Sequence, residues 1–101
     1  MVVPYTAETL LILTFSDRAL RRFFETGDAR QLSVRLVEKV RRILTLLDVA
    51  EHPEEMNMPG LFLHKLHGKP ERWSVRVTGN WRITFGWAGH DAIDVRLEDY
   101  H

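Results

Sequence analysis

Residues 71–101, ERWSVRVTGNWRITFGWAGHDAIDVRLEDYH, decide the fold. Read with a period of two, they set Trp73, Val75 and Val77, then Trp81, Ile83, Phe85 and Trp87, then Ile93, Val95 and Leu97 on one face of three successive strands. The alternate positions, Arg72, Ser74, Arg76, Arg82, Thr84, Asp94 and Arg96, make a polar face. Turn residues at 78–80 and 88–91 join the strands as hairpins. Such a sheet buries one side and turns several guanidinium groups to solvent on the other, with Asp99, Tyr100 and His101 gathered at the chain end. A face of this kind suits a phosphodiester.

Just before this stretch, residues 61–69 (LFLHKLHGK) read as an extended piece ending in a glycine turn, in which His64, Lys65, His67 and Lys69 cluster. Before it, Pro53 opens a brief helical turn that Pro59 and Gly60 stop. Val37, Val40, Leu44 and Leu47, widened by Val34 and Ile43, predict a helix capped by Ser33 and running to about Val49. A shorter helix is expected after Ser16 as cap, with Leu20, Phe23 and Phe24 on its dry edge and Gly27 at its end. Residues 9–15 (TLLILTF) alternate little, which predicts a strand covered on both faces, and residues 1–8 read as a flexible extension. The fold class is therefore α+β: an N-terminal strand and two helices packed on one face of a mainly antiparallel C-terminal sheet, in a single domain over 1–101.

The bulk numbers narrow the function. With 14 basic and 14 acidic side chains the formal charge is zero, so the chain does not hold naked nucleic acid by net charge alone. Distribution matters more, because eleven of the basic residues are arginine, whose planar fork matches phosphate oxygens in pairs. Arg18, Arg21, Arg22, Arg35, Arg41 and Arg42 lie on the wet sides of the helices, where they read as a solvated face or as phosphate contacts. The absence of cysteine removes disulfides and thiolate chemistry, and the five histidines lack the paired spacing of a metal site, so no cofactor and no metal are expected. No run of about twenty apolar residues could span a membrane, and a cytoplasmic location is expected.

Four stretches, LTFSDRALRRFFETG (13–27), PEEMNMPGLFLHKLHG (53–68), RWSVRVTGNWRITF (72–85) and the terminal EDYH (98–101), resemble the HigB branch of the RelE-like toxins of bacterial toxin-antitoxin systems. The resemblance implies a type II toxin that is a ribosome-dependent endoribonuclease, cutting messenger RNA in the A site without a metal. It also implies a cognate helix-turn-helix antitoxin of the HigA type and a toxin-antitoxin heterotetramer. Matched position by position, it puts catalytic roles on His64, Arg82, Asp99, Tyr100 and His101, and it aligns the asparagine of GNWR with Asn80, which reads equally as a turn residue or as a hydrogen-bonding contact to a base edge. Where the family often has a lysine three residues after the first histidine, this chain has His67, so cationic help there depends on pH or on Lys65 or Lys69.

Metal-free RNA cleavage needs a proton removed from the 2′-oxygen, charge stabilised on the phosphorane, and a proton delivered to the departing 5′-oxygen. Arg82 is the expected phosphate ligand, since a strand holds it rigidly; the bland alternative pairs it with Asp94. Histidine is the residue type suited to moving protons at neutral pH, which marks His64 and His101, and Asp99 can take a proton or orient a histidine, so base and acid stay unassigned. Lys65, His67, Lys69, Arg72, Arg76, Asn80 and Arg96 are the expected RNA-binding set. Tyr100 fits base stacking, proton transfer or packing of the chain end, whereas the three tryptophans belong to the core pattern. A member that binds RNA or antitoxin without cutting is the alternative reading.

Overall fold

A computed structural model describes residues 12–100. In chain order these form α1 (Arg18–Thr26), α2 (Val37–Val49), a 3-10 turn (Pro53–Met56), β1 (His64–Leu66), β2 (Arg72–Arg76), β3 (Trp81–Ala88) and β4 (Asp91–Asp99). The strands make one antiparallel sheet in the order β1-β2-β3-β4, the order that successive hairpins impose. Leu20 and Phe23 of α1 and Val40, Ile43, Leu44 and Leu47 of α2 join Val75, Ile83, Phe85 and Val95 of the sheet in one core. Each of those side chains, once buried, contributes roughly 1.5–3 kcal/mol before conformational entropy is counted. The helices thus cover one sheet face, as an α+β layer requires.

The structure departs from the local sequence expectations at four places. The cap of α1 is Asp17, not Ser16: the Ser16 N–H is already bonded to the Val95 carbonyl, while the Asp17 carboxylate accepts from Leu20 N–H at 3.0 Å. Its second oxygen accepts from Leu97 N–H at 3.1 Å, so one side chain pins the helix start to β4. The second helix starts at Val37 and not after Ser33, because Val34 enters the core from non-helical chain. That link is tied down by Asp28, which accepts from Arg30 and Arg22 and whose carboxyl those bonds hold well below the usual carboxylate range. Of the strand expected over 9–15, only 12–15 lies within the described residues, and residues 1–8 lie outside them. Ile12 and Phe15 bridge in parallel to Ala92 and Val95, which puts this segment outside β4 at the sheet edge; Leu13 is exposed there, against the expected cover on both faces.

The fourth departure lies in β4. Thr84 pairs with Arg96 but Gly86 with Ile93, so Asp94 and Val95 together oppose Phe85 in a bulge. Asp94 takes a left-handed backbone, φ 54°, and its N–H is held by Thr14 Oγ1 at 2.7 Å. The extra residue flips the parity: Ala92, not Ile93, enters the core, and Ile93 lies over Gly86 on the other face. A Cβ at Gly86 would sit 3.2 Å from Ile93 Cγ1, tighter than an ordinary contact, so a larger residue there would push the Ile93 side chain aside.

The double role of Asp17 makes a measurable prediction. Asp17→Ala removes a helix cap and leaves the part-buried Leu97 N–H unpaired, and is expected to cost about 2 kcal/mol in urea unfolding. Asp17→Asn is expected to lose less than half as much, because its amide oxygen still accepts one of the two bonds.

Candidate active site

The sheet face away from the helices holds a cleft of about 550 Å³ over β1, β2 and β3. Sheet register explains which side chains meet there. Arg76 and Arg82 are cross-strand partners, and one row along the sheet His64 faces Ser74. All four line the cleft, with Tyr100 from the chain end and Phe62 and Leu63 from the segment before β1.

Backbone bonds fix its two cations. Arg82 Nη1 donates to the Thr78 and Gly79 carbonyls of the β2–β3 turn, at 2.8 and 3.0 Å. The same turn anchors the chain end, since Tyr100 N–H donates to the Asn80 carbonyl at 2.6 Å and the Tyr100 ring lies 5.8 Å from Arg82 Cζ. Arg76 is held by its own N–H, bonded to the Leu61 carbonyl at 2.7 Å, and its guanidinium lies 4.4 Å from the centre of the Phe62 ring. Arg76 Nε is buried and has no acceptor among the described residues.

The remaining cations of this face are committed to a carboxylate. Arg72 donates to Asp94 Oδ2 at 3.0 Å, to the Asp94 carbonyl and to Thr84 Oγ1 at 2.9 Å, and Arg96 reaches Asp94 Oδ2 at 2.7 Å. Burial, followed by the charge of Arg96, pulls the Arg72 pKa below its ordinary value, while the bond to Asp94 raises that of Arg96. Thr84 in turn donates to the Glu98 carboxylate. Asp94 is thus the ion-pair partner of Arg72 and Arg96, and among the described residues no carboxylate pairs with Arg82.

A family model described as the RelE-like toxin of the type II toxin-antitoxin system HigB matches residues 13–101, which include every element of the fold. The chain belongs to this HigB-like toxin family. It is also 35% identical over 92 residues to the endoribonuclease HigB of Proteus vulgaris, a match that covers 90% of this chain and all of that relative. A HigB-like toxin belongs to a pair, so an antitoxin is its partner. Among the described residues no helix is long and apolar enough to cross a membrane.

Of the residues singled out in the sequence of this HigB-like toxin, the cleft brings together His64, Arg76, Arg82 and Tyr100. Asn80 is exposed in the turn and serves the site through its backbone carbonyl. Lys65 points to the opposite face, 5.8 Å over the Trp73 ring and paired with Glu71, because strand alternation separates it from His64. His67 and Lys69 are exposed in the connection between β1 and β2, outside the cleft lining. Asp99 faces Trp81 in register, which by strand parity sets it on the Leu97 side and not in the cleft. His101 lies outside the described residues.

Phe62, Leu63 and Leu66 line the cleft and escaped the sequence reading. Phe62 was hidden in an apolar run, LFL, that gives no sign which residue turns outward. Glu98, outside the cleft lining, stands opposite Arg82 in register and is held by Thr84, a neighbour that a strict alternation count could have found. Among the described residues no three histidine, aspartate or glutamate side chains group as a metal site would need.

Proposed function

We propose that the toxin cuts translated messenger RNA in the ribosomal A site by metal-independent acid-base chemistry. The endoribonuclease activity named for its Proteus vulgaris relative supports the reaction class. The observation that carries the reading is the meeting of His64, Arg76, Arg82 and Tyr100 in one open cleft, a cation pair next to an imidazole able to give or take a proton. In this reading the two guanidinium groups bind the non-bridging oxygens of the scissile phosphate. One proton leaves the 2′-hydroxyl as its oxygen attacks phosphorus, and another reaches the 5′-oxygen as the P–O bond breaks, leaving a 2′,3′-cyclic phosphate. His64 and His101 carry these two protons, Tyr100 stacks beside the reacting nucleotide, and Asp99, across the strand, sets the position of the chain end.

The partners follow from the same reading: a helix-turn-helix antitoxin of the HigA type, joined in a heterotetramer, and the ribosome, which positions a strand that a neutral chain holds weakly by itself. Exposed His67 and Lys69 would add outer contacts to RNA. The site of action is the cytoplasm.

Primer extension on a message under translation tests this. Discrete cuts are expected with the wild-type chain, and His64→Ala is expected to slow them about 100-fold or more, as loss of a proton-transfer group does. Bare RNA is expected to be cut little, and a 2′-deoxy nucleotide at the cut position to block the reaction. Undiminished cutting by the alanine variant, or cutting of the deoxy substrate, would remove the proposed chemistry.

A further inference from the structure

We propose that Phe62 is a stacking platform for one nucleobase of the strand lying in the cleft, an inference that rests on the reading of the chain as an RNA-cutting toxin. Phe62 has a left-handed backbone, φ 51°, which is uncommon for any residue but glycine and costly for a bulky one. Burial does not compensate for it. The side chain is 62% exposed, while Leu61 before it is 3% exposed and Leu63 after it packs against the core. The flanking leucines pin the backbone, the Leu61 carbonyl holds Arg76 N–H, and the ring is left facing outward at the cleft.

The ring is also aligned with the cations. Because Arg76 and Arg82 are cross-strand partners, and each lies by an aromatic ring, the cleft runs Phe62, Arg76, Arg82, Tyr100. Such a row matches a dinucleotide: the phosphate over the paired guanidinium groups, one base against each flanking ring. An exposed aromatic backed by arginine is what unstacked RNA bases bind, since every base presents a π-face. A phenyl ring has no hydrogen-bonding group, so Phe62 sets how tightly the strand is held and does not select its sequence.

The test compares Phe62→Leu, Phe62→Gly and Phe62→Trp with the wild-type chain under single-turnover conditions, on a message carried by translating ribosomes. Leucine keeps the apolar bulk without the π-face, and glycine removes the ring and relieves the left-handed backbone. Both are expected to raise the toxin concentration for half-maximal cutting about ten-fold, with the cut positions and the rate at saturation unchanged. Phe62→Trp is expected to cut as the wild type does. Phe62→Gly is expected to melt no lower than wild type, whereas a ring kept for packing would lower its melting temperature. The inference fails if Phe62→Leu and Phe62→Gly cut at wild-type concentrations, or if Phe62→Trp is as weak as Phe62→Leu. An inactive wild-type chain would overturn the RNA-cutting reading and this inference together; an active one with indifferent variants overturns this inference alone.

Discussion

Arg82→Ala is expected to slow cleavage of a translated message by about 100- to 1,000-fold, the usual cost of removing one preorganised group from developing transition-state charge. The size follows from how the side chain is held. Two turn carbonyls fix Nη1, none of the ion pairs among the described residues takes up the guanidinium, and the side chain lines the cleft. Lysine cannot restore it. An ammonium that reaches the phosphate has no planar fork with which to clasp the Thr78 and Gly79 carbonyls as well, so Arg82→Lys is expected to recover under a tenth of the rate. Melting temperature is expected to change little, because the freed turn carbonyls meet water. Primer extension with a thermal melt of each variant checks both; cleavage within ten-fold of wild type in Arg82→Ala would move the phosphate-binding role to Arg76.

The second large effect concerns stability. Phe85 is fully buried at the centre of β3, its ring stacked 6.2 Å from Trp73 and edge-on to Trp87 at 6.1 Å. It is also the residue that the β4 bulge faces. Phe85→Ala is expected to cost about 3–5 kcal/mol out of the roughly 5–15 kcal/mol that a domain of ordinary stability has in total, about a third or more of it for a chain of middling stability. Phe85→Leu keeps most of the volume and is expected to cost less than about 1.5 kcal/mol. Urea unfolding curves separate the two. A loss below about 1 kcal/mol in Phe85→Ala would mean that the bulge relaxes into the space.

Part of the candidate site could be read from residue types and order, because His64, Arg82 and Tyr100 lie in short recognisable stretches: a leucine-histidine pair, GNWR and EDY near the chain end. What could not be read was which cations remain available. Arg72, Arg76, Arg82 and Arg96 share one parity in the sequence, yet Asp94 takes up Arg72 and Arg96, and the β2–β3 turn orients Arg82. Ser74 and Thr84, counted with the solvent-facing residues, are buried, and the Arg72 guanidinium is bonded to Thr84 Oγ1. Partner choice among equivalent charges depends on distances of a few ångströms, and no spacing rule along the chain supplies those.

The periodicities determined the α+β class, the antiparallel order of the C-terminal strands and nearly all of the core, because burying one face of a strand or helix is a local, repeating requirement. Tertiary structure alone decided the departures from that repeat. The Asp94 bulge depends on Thr14, eighty positions earlier in the chain, and the cap of the first helix depends on a carboxylate that also serves Leu97. Phe62 turns outward because the leucines on either side of it pack inward. Each of these is a contact between segments distant in sequence or a competition between neighbours for one interior, and periodicity carries no information about either.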